Sequence, residues 1–155
     1  MLDDTILPPG DERRPAVLYT PELLALTIRL AGFPFNPAHP RQSEARSRVC
    51  GSVVGVSLAV DRSSRIDAVG LRIAACAVGQ AAAALFAQDA VGKTAGDLIS
   101  ARAAIAEWLA SGVAIPSWPG LPLLQPALPH KARHAAILLP WDAAISALSD
   151  NGRRG

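Results

Sequence analysis

The sequence is poor in cysteine, in aromatic residues and in net charge. Its 155 residues include two cysteines, Cys50 and Cys76, too few for a disulfide scaffold. Aromatic residues make up 5% of the chain, which argues against a surface that stacks on nucleic-acid bases. The formal charge is only +2, so composition does not predict nucleic-acid binding. We therefore expect the two cysteines to be thiols in a reducing compartment.

Long apolar segments and targeting signals are missing too. The most apolar run, Ala74 to Ala87, is 14 residues long, whereas a membrane helix needs about 20. The chain starts with the acidic Met1-Leu2-Asp3-Asp4, which is not typical of a signal peptide. These features predict a soluble cytoplasmic protein without membrane contact. Half of the residues are hydrophobic, which is enough for one domain to bury a core without disulfides or a structural metal.

One folded domain is predicted between two short tails. Residues 1–16 contain three prolines and no periodicity, and we expect a flexible N-terminal arm. The domain is expected to cover residues 17–150, followed by a basic tail at residues 151–155. Residues 33–48 carry three further prolines and a polar run, which predicts a long loop.

Two strands are predicted in the middle of the chain. Alternating apolar residues indicate a strand over residues 53–60 and a second over residues 65–73. The polar residues 61–64 between them predict a turn, so the strands should form an antiparallel hairpin.

Helices are predicted before and after this hairpin in the sequence. Thr20 is a good N-cap for a helix that ends near Gly32. An alanine-rich helix should cover residues 77–90, and Thr94 should cap the next helix, which runs to about Leu109.

The last third of the domain has weaker signals. Residues 113–130, with five prolines, predict an irregular excursion. Because a proline cannot sit deep in a helix, the final helix should start near Pro140 and end near Ser149, with Ala135 to Leu139 extended.

The tripeptide Gly92-Lys93-Thr94 is similar to the end of a phosphate-binding loop. That motif needs a glycine five residues earlier, where this chain has Ala87 inside a predicted helix. The tripeptide therefore indicates a helix break followed by an N-cap.

The residues that could ligate a metal are few: Cys50, Cys76, His39, His130 and His134. The two cysteines lie just outside the two hairpin strands. Because the outer ends of an antiparallel hairpin lie together, both thiols should meet at one end of the sheet. Cys76 also starts a helix, where the helix dipole favours a thiolate. Two converging thiols suit a soft metal or a sulfur-handling site.

These segments resemble the U-type iron–sulfur cluster assembly scaffolds (IscU, SufU and the N-terminal domain of NifU). The resemblance is carried by Val49-Cys50-Gly51-Ser52, the hairpin, Ala75-Cys76-Ala77 and Gly92-Lys93-Thr94. It covers roughly residues 19–148. The excursion at residues 113–130 and the stretch Arg133 to Trp141 look most like the SufU branch. The resemblance implies an α+β fold, with a small antiparallel sheet packed against several helices.

The chain departs from the family pattern at three positions. Ser52 stands where the family has aspartate, and Ala75 stands before the second cysteine in place of glycine. Ala136, three residues after Arg133, takes the place of the third cysteine. If this segment is extended, His134 points to the same face as residue 136 and could replace the missing ligand. The expected ligands are therefore Cys50, Cys76 and His134, with Ser52 as a poor fourth.

Three functions follow as hypotheses. The first is a non-enzymatic scaffold that binds iron or a labile iron–sulfur cluster. The resemblance implies that it receives sulfur from a cysteine desulfurase and works with other assembly proteins. Because one chain has too few thiolates, two chains could hold one cluster between them.

The second hypothesis keeps the fold and discards the cluster: a zinc-binding or metal-free docking partner of the assembly machinery. The third is an unrelated small enzyme with Cys76 as nucleophile and His134 as its base.

Overall fold

The computed structural model describes residues 18–149. The predicted N-terminal arm and basic tail lie outside these residues. Within them, a three-stranded antiparallel sheet packs against helices, which confirms the predicted α+β class.

The sheet is built from β1 (Arg41–Arg46), β2 (Val53–Val60) and β3 (Ile66–Ala74), in that order. The predicted hairpin of β2 and β3 is confirmed, with Val53 opposite Ala74 at one end. The alternation in β2 puts three side chains fully into the core: Val54, Val56 and Leu58.

Strand β1 corrects the prediction of one long loop over residues 33–48. Its sequence, RQSEAR, has no apolar alternation, yet every residue pairs with β2. An edge strand can be this polar because it is hydrogen-bonded along one side and half exposed. Part of the strand is also tied to the last helix, where Ser43 Oγ lies 2.9 Å from Ser146 Oγ.

The described residues form four α-helices, of which α2 and α4 make the main contacts with the sheet: α1 (Pro21–Ile28), α2 (Ala77–Ala90), α3 (Ala95–Ser111) and α4 (His134–Ser149). A 3-10 turn extends α1 to the predicted end at Gly32. The predicted bounds of α2 are confirmed, and its many alanines let neighbouring elements approach closely. Thr94 caps the start of α3, as predicted, and Asp97 completes a reciprocal capping box with it.

Helix α4 corrects the prediction that Ala135 to Leu139 are extended. The helix begins at His134 and runs through Pro140. A proline inside a helix costs about 3 kcal/mol. Burial of one large apolar side chain contributes about 1.5–3 kcal/mol, and this helix buries several. Trp141 is fully buried, with its ring 5.4 Å from Phe86 and 5.2 Å from Trp118. Packing therefore outweighs the proline.

The proline-rich excursion over residues 113–130 is irregular, as expected, apart from a 3-10 helix at Leu121–Ala127. Trp118 Nε1 donates to the carbonyl oxygen of Leu85 at 2.9 Å, which fastens the excursion to α2. No helix in the described part of the chain is long and apolar enough to cross a membrane.

Candidate functional site

The candidate site lies at the end of the sheet where Val53 faces Ala74. Cys50 lies in the turn between β1 and β2, three residues before Val53. Cys76 follows Ala74 by two residues and is the N-cap of α2. The register therefore brings both cysteines to the same end of the sheet.

The turn at residues 47–52 presents Cys50 to solvent. The Ser47 amide donates to the Ser52 carbonyl at 2.8 Å, and the Gly51 amide donates to the Ser47 carbonyl at 2.9 Å. Gly51 has a φ of 73°, a left-handed conformation that favours glycine. Ser47 and Ser52 are buried, whereas Cys50 is exposed. The closed turn thus holds the thiol outward over two buried hydroxyl groups.

These two hydroxyl groups act on the Cys50 sulfur. Its Sγ lies 3.5 Å from Ser47 Oγ and 3.1 Å from Ser52 Oγ. Because hydroxyl groups can donate to a thiolate, hydrogen bonds from Ser47 and then Ser52 lower the pKa of Cys50. Ser52, the residue at the family's aspartate position, therefore supports the charge of Cys50.

Arg133 is the cation of this site. Hydrogen-bonding interaction with the Cys76 side chain is the largest cause that raises the pKa of Arg133 above its ordinary value. Tyr19 and both cysteines raise it further, and the guanidinium carbon lies 5.9 Å from the centre of the Tyr19 ring. Arg133 is therefore electrostatically coupled to both sulfur atoms.

Sequence reasoning used Arg133 only as a marker of family resemblance and missed its contact with Cys76. Arg133 precedes Ala136 by three residues. In helical conformation, residues three apart share a face, so this spacing was the available signal.

His134 has other partners than the cysteines. Its Nε2 lies 2.9 Å from the carbonyl oxygen of Leu128 and 3.2 Å from that of Ala127, at the end of the 3-10 helix. The sequence argument for His134 needed an extended segment, and in a helix residues 134 and 136 do not share a face. Among residues 18–149, no three or more His, Cys, Asp or Glu side chains are grouped so that they could hold a metal ion.

Ala136 fills the place of the third cysteine with a methyl group. It is fully buried against the first turn of α2. A Cβ on Gly79 would come within 3.4 Å of the Ala136 Cβ and 2.9 Å of the Ala75 Cβ. The third-ligand position therefore lies beside the helix turn that Cys76 caps, but it carries no donor atom.

The remaining candidate residues either make structural contacts or are exposed to solvent. His39 Nδ1 lies 3.1 Å from the carbonyl oxygen of Ser57, which fastens the segment before β1 to the sheet. His130 is exposed. Lys93 accepts the Ile66 amide through its carbonyl at 2.8 Å, and Thr94 caps α3, so the predicted helix break and N-cap are confirmed.

Comparison with known proteins gives structural matches. No protein-family profile and no curated protein sequence matches the chain. The crystal structure of a nitrogen-fixing NifU-like protein (N-terminal) from Brucella abortus superposes with a TM-score of 0.80 at 25% identity, covering 90% of this chain and 98% of that chain.

Two further crystal structures share the fold. A putative iron–sulfur cluster assembly scaffold protein for the SUF system from Fervidobacterium islandicum matches with a TM-score of 0.75 at 18% identity, over 87% of this chain and 99% of that one. A hypothetical protein matches with a TM-score of 0.63 at 14% identity, over 83% of this chain and 97% of that one. Over most of its length, the chain is thus structurally similar to NifU N-terminal and SufU scaffold proteins.

Proposed function

We propose that this protein is a non-enzymatic scaffold that takes up iron or a labile iron–sulfur cluster through Cys50 and Cys76. The observation that carries this proposal is the convergence of the two thiols at one end of the sheet. Thiolates are the usual ligands of iron–sulfur clusters and suit soft metals. The similarity to scaffold structures supports the same function.

The two cysteines have different tasks in this proposal. Cys50 is exposed, and the Ser47 and Ser52 hydroxyl groups favour its thiolate, so it meets incoming iron or sulfur first. Cys76 is partly buried at the start of α2 and holds the cargo from the other side. A cysteine desulfurase is the proposed sulfur donor, in the cytoplasm, with other assembly proteins as recipients.

Anaerobic reconstitution with iron and sulfide tests this function. The wild type should develop a visible charge-transfer band and bind iron. A Cys50→Ala, Cys76→Ala double variant should do neither, while its unfolding curve stays close to that of the wild type. Equal bands in the two proteins would reject the proposal.

A second candidate is a zinc-binding or metal-free docking partner of the same machinery. It is favoured by the missing third donor, since the described residues provide no grouped set of three ligands. Elemental analysis of protein purified without added metal separates the candidates. Zinc that is lost on Cys76→Ala substitution supports a zinc site, and protein that never retains metal supports a docking role.

His134 and Ser52 stay in the proposal as ligands to be tested. His134 would have to give up its carbonyl contacts, and Ser52 its contact with the Cys50 sulfur. Iron binding that survives a His134→Ala substitution would remove His134 from the ligand set.

A further inference from the structure

Several cationic side chains lie close to the two cysteines in strand register or in sequence. Strand register places Arg46 beside Val53 at the cysteine end. Arg48 is exposed in the same turn as Cys50, and Lys131 is exposed two residues before Arg133. We call these residues the cationic rim: Arg46, Arg48, Lys131 and Arg133.

Little negative charge offsets this rim. Glu44 is the carboxylate that the register places beside it, and it pairs with Arg46 at 3.7 Å. No carboxylate of residues 18–149 lies within ion-pair distance of Arg48, Lys131 or Arg133. These three cations can therefore attract an anion.

The ligand count of the site is also incomplete. An iron–sulfur cluster is normally held by four thiolates, and the described site has two thiols with a methyl group at the third position. A second copy of the chain could supply two more. Two copies meeting at this end would bring two cationic rims together, and like charges at close range repel.

We propose that the cysteine end binds an anionic low-molecular-weight thiol, whose thiolate completes the ligand set and whose carboxylates contact the cationic rim. This inference rests on the proposed function for its purpose. The attraction of the anion to the cationic rim involves only Cys50 and the rim residues, so this attraction can be measured without any cluster.

Thiol–disulfide exchange at Cys50 directly measures the preference of the cysteine end for anionic reagents. In a Cys76→Ala background, the Cys50 thiolate attacks one sulfur of a small disulfide, the sulfur–sulfur bond breaks, one thiolate leaves and a mixed disulfide forms. The reagents are oxidised glutathione (anionic), bis(hydroxyethyl) disulfide (neutral) and cystamine (cationic). Mass spectrometry gives each rate, which is divided by the rate for a free cysteine peptide.

At low salt, oxidised glutathione should react about tenfold faster than the neutral reagent after this correction, and cystamine more slowly. The three corrected rates should converge at high salt, because salt screens the rim. Arg48→Gln should reduce the anionic preference by about two- to fivefold. Glu44→Gln should increase it.

Arg62→Gln is the matched control. Arg62 is exposed in the turn between β2 and β3, at the opposite end of the sheet, and the substitution removes the same charge. Equal corrected rates for the three reagents, or equal effects of Arg48→Gln and Arg62→Gln, would overturn the inference.

Reconstitution separates this inference from the proposed function. With iron and sulfide, glutathione should give more chromophore per chain than mercaptoethanol at the same thiol concentration. Equal chromophore with both thiols overturns the inference and leaves the proposed function standing. No chromophore with either thiol overturns the proposed function, and the exchange rates then decide whether the anionic-thiol site exists.

Discussion

The two ends of the sheet use their polar groups in opposite ways. At the end formed by the turn between β2 and β3, polar groups are bonded to each other. The Ile66 amide donates to the Lys93 carbonyl, the Gly92 amide donates to the Ile66 carbonyl, and Arg65 Nη1 donates to the Gly92 carbonyl. Gly92-Lys93-Thr94 thereby joins the start of β3 to the start of α3.

At the cysteine end, the backbone is equally well bonded, and two side-chain hydroxyl groups also lie against a sulfur atom. Ser47 Oγ accepts from the amides of Val49 and Cys50, and the hydroxyl groups of Ser47 and Ser52 both lie within hydrogen-bond distance of the Cys50 sulfur. Arg133 contacts a thiol rather than a carboxylate. The comparison teaches that a motif similar to a ligand-binding loop can be structural, while the candidate site lies where two separate cysteines meet.

The largest effect is expected from restoring the third thiol. Ala136→Cys places a sulfur beside the first turn of α2, three residues after Arg133. Loss of iron from the reconstituted protein should slow by about tenfold or more, because a third thiolate adds a metal–sulfur bond, and even changes beyond the ligands alter metal affinity by about 10–100-fold. Release of iron to a chelator measures this rate.

The control for that variant is Ala135→Cys, which adds the same thiol one residue away on another face of the helix. If both variants retain iron equally well, the position of Ala136 has no special relation to the two native cysteines.

A smaller effect is expected for Ser52→Ala at the cysteine end. The variant removes the hydroxyl group 3.1 Å from the Cys50 sulfur, so the pKa of Cys50 should rise towards its ordinary value. Because the thiolate is the reactive form, alkylation at neutral pH should slow and its pH profile should move to higher pH. Iodoacetamide kinetics in a Cys76→Ala background measure both. Ser63→Ala, in the opposite turn, should leave the profile in place.

At the other end, Thr94→Ala should affect stability alone. Loss of the N-cap should lower the free energy of unfolding by about 1 kcal/mol, measured by urea denaturation. Thiol reactivity and iron uptake should not change. A change in iron uptake at unchanged stability would give the tripeptide a functional role and break the comparison.

The smallest effect is expected for the way in which the Thr94–Asp97 cap makes folding stability depend on pH. Hydrogen bonding with the backbone and side chain of Thr94 lowers the pKa of Asp97. A carboxylate with a lowered pKa stabilises the folded state above its unfolded pKa, and this contribution is lost as the pH falls through the folded pKa. The stability difference between wild type and Asp97→Ala should therefore be constant near neutral pH and shrink on acidification. A difference that persists at low pH would contradict this origin.

Local signals predicted much of the fold. Caps at Thr20 and Thr94, the alternation in β2 and the alanine-rich run of α2 each depend on neighbours a few residues away, and the structure confirms them. Strand β1 was missed because its polar residues become a strand only through pairing with β2.

Part of the candidate site could be predicted in the same way. Antiparallel geometry alone brings the residues that flank a hairpin together, so the positions of Cys50 and Cys76 followed from the sequence. The interaction of Arg133 with Cys76 did not follow from the sequence, because it depends on how α4 packs against α2. The surroundings of His134 could not be predicted for the same reason.

The sequence by itself determined the two thiols and the hairpin that they flank, because these depend on residue identity and on local periodicity; the place of a third cysteine is implied by the family resemblance alone. Only the tertiary structure decided that Pro140 lies within a helix, since burial of Trp141 and its neighbours outweighs the cost of the proline. The same helix starts at His134, whose ring nitrogen contacts the Leu128 carbonyl oxygen, while Arg133 in the turn before it interacts with Cys76. The tertiary packing of this segment, and not its local sequence, therefore decided which basic residue lies near the cysteines.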